Sequence, residues 1–123
     1  MTNRILIVDD QPGIRLLLEE ILKTEGYETI CAKTGREACD LVEAHDLDLI
    51  IMDYNLPVMH GREVLHYLEE MDFHSSVIII TGASKDSMEK EADYPFVTDI
   101  ITKPFDIHNL KELVNGTLVH SRS

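Results

Sequence analysis

The chain has 123 residues, enough for one domain with a real core and too few for two. Its 23 Asp and Glu against 11 Lys and Arg give a formal net charge of -12, which repels phosphate backbones and anionic membranes and argues against direct nucleic-acid binding. A hydrophobic fraction of 44% argues against disorder, and the apolar runs are far too short for a membrane span, so a cytosolic protein is expected.

Short β-rich runs alternate with stretches of helical period, the pattern of βα units in a parallel sheet. Arg4 to Val8 is a near-continuous apolar run, as expected for a strand covered on both faces. Pro12 opens a helix whose inner stripe is Ile14, Leu17, Leu18, Ile21 and Leu22, and Gly26 stops it. Leu16 falls off that stripe, and a single exposed leucine needs no partner. Glu28 to Ala32 is the second strand, and a helix from about Thr34 to His45 follows with Ala38, Leu41 and Val42 inward. Asp48 to Met52 is the third strand, Gly61 to Met71 the third helix, and Val77 to Ile80 a strand pure enough for the sheet interior.

Ser84 to Ala92 holds only Met88 and Ala92 as apolar anchors, so a short, poorly anchored fourth helix is predicted, ended by Asp93-Tyr94-Pro95. Val97 to Ile101 is the fifth strand. Asp106 then caps a last helix that buries Ile107, Leu110, Leu113, Val114 and Leu118, and His120 to Ser123 form a polar tail. Five strands and five helices in strict alternation predict an α/β fold: a doubly wound (βα)5 domain with a five-stranded parallel sheet in the flavodoxin-like order 2-1-3-4-5. One domain is expected over residues 1–123, with its core at about 4–118 and no output domain.

In open α/β sheets ligands bind beyond the carboxyl ends of the strands, so the residues after each strand carry the information. These are Asp9-Asp10, Asp53, Thr81-Gly82 and Lys103-Pro104. Folding brings three carboxylates, a hydroxyl and an ammonium to one edge. Carboxylates that close repel one another, and a hard divalent cation with oxygen ligands removes the conflict; Mg²⁺, or Mn²⁺, suits it. A carboxylate can attack phosphorus, and phosphoryl transfer then needs positioning and positive charge, which the cation and Lys103 would supply. Asp9-Asp10, Asp53, Thr81 or Lys103 taken singly could each be a cap, a turn or an ordinary surface residue; their joint placement favours function.

The strand-end pair Asp9-Asp10, Asp53 after DLIIM, Thr81-Gly82 after VIII, and Lys103-Pro104-Phe105 together resemble the receiver domains of bacterial two-component response regulators. The resemblance spans essentially the whole chain. It implies that Asp53 is the phosphoacceptor and that Asp9, Asp10 and Asp53, with the main-chain carbonyl of Asn55, hold the metal. It further implies that Thr81 and Lys103 contact the phosphoryl group and that the Lys103-Pro104 bond is cis. Within the family, ILIVDDQPGIRLLLEEILKTEGYET and KPFDI are similar to the receivers of sporulation phosphorelays. That similarity implies a relay without multiple turnover of a metabolite: phosphoryl groups arrive from a sensor histidine kinase and leave to a helix-bundle histidine phosphotransferase. Gln11, Pro12, Gly13, Ile14, Pro104 and Phe105 would dock these partners. A monomer is expected, and there is room for a dedicated phosphatase among the partners.

Two positions depart from the family pattern: Ile100 where an aromatic residue often couples phosphorylation to a surface change, and His60 where Asp is common. The six histidines show no ligand spacing and read mostly as solvated surface residues, and Cys31 and Cys39 as small hydrophobes. Gly82 reads either as a turn glycine or as a lack of bulk beside the phosphoryl site. Two competing functions differ in class. A chemotaxis-like regulator would bind a target when phosphorylated without passing the group on. An aspartate-nucleophile phosphatase would need a second Asp two residues after the first, where Asn55 stands.

Overall fold

The computed structural model describes residues 2–121, and the side chains of Lys85, Ala92, His120 and Ser121 lie outside the described residues, as does the tail beyond them. The inward reading of Ala92 and the polar reading of His120 to Ser123 therefore fall outside it. The strands are β1 (Arg4–Val8), β2 (Glu28–Ala32), β3 (Leu49–Asp53), β4 (Ser76–Thr81) and β5 (Val97–Thr102). All pair in parallel in the order β2-β1-β3-β4-β5, as the alternation of elements predicts. The helices are α1 (Pro12–Thr24), α2 (Gly35–Ala44), α3 (Gly61–Glu70), α4 (Glu89–Ala92) and α5 (Ile107–Ser121). No helix among the described residues is long and apolar enough to cross a membrane.

The period of two along each strand splits the core into two layers. Leu6, Val8, Ile50, Met52, Val77 and Ile79 face one side with Ala38, Val42, Val64, Leu65 and Leu68 of α2 and α3. Ile5, Ile7, Leu49, Ile51, Ile78 and Ile80 face the other with Leu18 and Leu22 of α1 and Leu110, Val114 and Leu118 of α5. Burying one such side chain contributes about 1.5–3 kcal/mol, so the central strands hold most of the favourable energy.

The helix boundaries follow local chemistry. Thr34 accepts a hydrogen bond from the Glu37 amide and caps α2. Asp106 caps α5 by accepting from the His108 amide at 2.8 Å. Gly26 follows α1 at φ 93°, a left-handed position that suits glycine. Gly35 is required by packing, because a Cβ there would lie 2.0 Å from the Met59 carbonyl oxygen.

Several expectations need correction. Leu17 and Ile107 are 37% and 41% exposed instead of inward. Leu17 sits on the flank of the stripe formed by Ile14, Leu18, Ile21 and Leu22, and Ile107 begins α5 outside the run of Leu110, Val114 and Leu118 that meets the sheet. The fourth helix is well anchored: a 3₁₀ turn (Lys85–Met88) capped by Ser84 leads into α4, with both Met88 and Glu91 buried. His60 is half-buried, not solvated: its Nδ1 accepts from the Arg62 amide at the start of α3, and its ring meets Tyr54 edge-on at 4.6 Å.

Candidate functional site

β1, β3 and β4 end side by side, and β5 adds the outer wall, because the register sets Val8 against Met52, Asp53 against Ile80 and Thr81 against Thr102. Asp53 is the last residue of β3 and Thr81 the last of β4, while Asp9 follows β1 and Lys103 follows β5. The strand-end residues singled out from the sequence therefore do converge on one edge. Carboxylate oxygens of Asp9, Asp10 and Asp53 lie within 4.8 Å of one another.

Asp9, Asp53, Thr81 and Lys103 each have a defined hold. The Lys103 ammonium donates to Asp53 Oδ2 at 2.8 Å, and the Asn55 amide donates to Asp53 Oδ1 at 3.0 Å. The Gln11 amide donates to Asp9 Oδ1 at 2.9 Å. Arg15 Nη1 donates to the Asp9 main-chain oxygen at 2.8 Å and ties α1 to the end of β1. The Thr81 hydroxyl oxygen accepts from the Ala83 amide at 3.1 Å, and the Thr81 carbonyl accepts from the Lys103 amide at 2.7 Å. The Lys103-Pro104 peptide bond is cis.

Asp9, Asp53 and Thr81 are buried, Asp10 is exposed and Lys103 half-exposed, so the pocket opens through Asp10. Burial pushes the Asp9 carboxyl above the ordinary carboxylate range; the Gln11 amide pulls against it, and the Asp53 charge pushes with it. Burial works against the Lys103 ammonium, yet the hydrogen bond and charge of Asp53, with the charges of Asp9 and Asp10, hold its pKa above the usual lysine value. Asp9 Oδ2 is buried without a hydrogen-bond partner, a condition it shares among the described residues only with Thr29 Oγ1 on the neighbouring edge strand β2. An all-oxygen cluster with one oxygen left unpaired suits a hard divalent cation.

The other singled-out residues surround this pocket. Gln11, Pro12 and Gly13 are exposed at the start of α1 with Ile14 half-buried behind them, and Pro104 is exposed beside half-buried Phe105. Gly82 is exposed, and a Cβ there would meet nothing within 4 Å. Ile100 is buried in the layer shared with α2 and α3.

The structure adds a group that the sequence reading passed over. The Tyr54 hydroxyl donates to Glu91 Oε1 at 2.5 Å, and Arg62 Nη2 lies 3.3 Å from the same oxygen. The inward direction of Tyr54 is readable from period two, since it extends the face of Met52. Glu91 carried no local signal; its partner is 37 positions away.

The profile of the response regulator receiver domain family matches residues 5–115. The chain is 39% identical over 118 residues to sporulation initiation phosphotransferase F of Bacillus subtilis, covering 96% of this chain and 95% of that protein. It is 33% identical over 119 residues to chemotaxis protein CheY of the same organism, covering 96% and 99%. Its structure is similar to the signal receiver domain of a putative Luxo repressor protein from Vibrio parahaemolyticus, with a TM-score of 0.93, 31% identity, and 99% and 94% of the two chains covered.

Proposed function

The chain belongs to the response regulator receiver domain family, and on that footing we propose that it is a phosphorelay intermediate, accepting a phosphoryl group on Asp53 and passing it on. The observation that carries this reading is Asp53 itself: a buried carboxylate gripped at 2.8 Å by Lys103 within 4.8 Å of two more carboxylates.

Asp53 attacks the phosphorus of a phosphohistidine on a sensor kinase. The P–N bond breaks, and its electron pair leaves with the imidazole, which takes up a proton. Onward transfer to a second histidine, on a helix-bundle phosphotransferase, runs the same step in reverse. Lys103 shifts from the carboxylate to a phosphoryl oxygen. The Thr81 oxygen already accepts from the Ala83 amide, so its proton is free for another phosphoryl oxygen. Gln11, Pro12, Gly13, Ile14, Pro104 and Phe105 rim the opening and would meet the partner. Asp9, Asp10, Asp53 and the main-chain carbonyl of Asn55 would hold Mg²⁺, which supplies positive charge against the phosphoryl oxygens when bound. The unpaired Asp9 oxygen supports that assignment.

The test is intact-protein mass after incubation with phosphoramidate, with and without Mg²⁺, for wild type and Asp53→Ala. One added phosphoryl group that requires Mg²⁺ and vanishes in Asp53→Ala is expected; no adduct on folded wild type would sink the mechanism. A second reading is supported by the 33% identity to a chemotaxis protein: the phosphorylated chain binds a target and keeps the group. Mixing it with a histidine phosphotransfer domain separates the two readings, since only the relay transfers the group rapidly and reversibly. Sporulation, as the physiological setting, is supported by the relative at 39% identity.

A further inference from the structure

Four polar or charged residues are buried among those described: Asp9, Asp53, Thr81 and Glu91. Three belong to the pocket, and the fourth takes no part in its chemistry. Glu91 sits on α4, a single turn of helix, and the 3₁₀ turn before it buries one apolar side chain, Met88. A carboxylate there is an expensive anchor; an apolar residue of similar shape would hold a helix with less desolvation. Its contacts explain its position. Oε1 accepts from the Tyr54 hydroxyl at 2.5 Å, and Arg62 on α3 reaches both the same oxygen and the phenol oxygen, each at 3.3 Å.

Tyr54 follows Asp53 directly. Its amide donates to the Ile80 carbonyl at 2.9 Å and its carbonyl accepts from the Gly61 amide at 3.1 Å, so its backbone is fixed between β4 and the start of α3. The phenol is thus a rigid arm from the phosphoacceptor to α4. We propose that Glu91 is a positioning residue, through which the state of Asp53 and the seating of α4 are coupled by way of the Tyr54 hydroxyl, with Arg62 as the brace. The inference rests on Asp53 being the phosphoacceptor. Coupling of this kind is reciprocal: what loosens α4 alters the phosphorylation of Asp53, and phosphorylation alters the protection of α4.

Hydrogen exchange of the backbone amides of residues 85–93 tests it, in wild type, Glu91→Gln, Glu91→Leu and Tyr54→Phe, each with and without excess phosphoramidate and Mg²⁺. Intact mass reports phosphorylation and thermal melting reports folding in the same samples. In wild type, phosphorylation should change exchange across 85–93 by about tenfold. Glu91→Gln keeps an acceptor for the phenol and should retain most of that response. Glu91→Leu, which anchors α4 without the bond, and Tyr54→Phe, which removes only the hydroxyl, should both lose it while still gaining one phosphoryl group. A full response in either of those two variants, or none in wild type despite an adduct, overturns the proposal alone. No adduct on wild type overturns the phosphoacceptor reading, and this inference with it.

Discussion

The pocket at the strand ends and the flank between α3 and α4 each bury a carboxylate, and they treat it in contrary ways. Asp9 is 1% exposed and leaves one oxygen unpaired, and burial, with Asp53 adding to it, drives its pKa up. Glu91 is 3% exposed, and burial alone would raise it as well. Hydrogen bonds from the Tyr54 hydroxyl, its own backbone amide and Arg62 reverse the sign and hold it below the ordinary range. An unpaired buried oxygen is kept against its own preference by the surrounding fold and gains when a ligand arrives. A buried oxygen with a donor on each side is a finished fixture. The contrast separates a place for something to bind from a place that transmits.

The largest effect should come from removing the cation of the first region. Lys103→Ala should slow phosphorylation of Asp53 by phosphoramidate on the order of 10²–10³-fold, since a preorganised donor to developing charge is worth that much. A rate within about threefold of wild type in stopped-flow measurements would show that the ammonium only fills space beside Asp53.

In the second region, Glu91→Ala strands the buried Tyr54 hydroxyl and removes the charge-assisted bonds. A loss of about 3 kcal/mol is expected in urea unfolding, at the upper end for such a deletion. A loss below about 0.5 kcal/mol would mean that water replaces the carboxylate freely and that the flank is not a closed fixture.

Asp9→Asn tests the other side of the contrast and should carry the opposite sign. The Gln11 amide bond to Oδ1 can persist, so metal-free protein should gain about 1 kcal/mol at neutral pH. The folded pKa of Asp9 lies above its ordinary value of 3.8, so its ionisation costs stability above that raised pKa, and the cost fades as pH falls through it towards 3.8. The advantage of Asp9→Asn over wild type should shrink over the same interval. Wild type should also gain stability with Mg²⁺, by about 2.7 kcal/mol at one hundred times Kd, and Asp9→Asn should lose most of that gain. An advantage independent of pH and of Mg²⁺ would detach the gain from the carboxylate.

The smallest effect belongs to the loop joining the two regions. Val58 is 79% exposed and holds φ 68°, an uncomfortable place for a β-branched residue. Val58→Gly should stabilise the fold by about 0.5–1 kcal/mol, relief of left-handed strain less the added chain entropy. A loss on thermal melting would mean that the valine side chain holds the loop by contacts stronger than that strain.

The first region was legible in the sequence and the second was not, for a physical reason. Asp9, Asp53, Thr81 and Lys103 each follow an apolar run, and a parallel sheet sends the end of every strand to one edge, so reading the strands located the pocket. Glu91 lies in a segment whose residues read as solvent-facing helix, and its burial depends on a phenol brought near only when α4 packs against β5. His60 failed likewise, because a histidine at a helix entry shows no pattern until the cap forms. Leu17 and Ile107 mark the reverse limit: a helix wheel predicts which way a side chain points, but not how far the sheet beneath it extends.

The irregular register of β5 against β4 near Val77 and Ile78 bears on how the protein behaves in a crowded solution. The strand SVIIIT combines β-branched residues with no charge and no proline, the profile of a segment prone to stack with copies of itself. It is interior, and the strand that shields it presents Thr98 and Asp99 at a broken register, a poor template for a further strand. The acidic edge strand therefore acts as a gatekeeper. Damage that peels it away endangers solubility and at the same time withdraws Lys103 from Asp53.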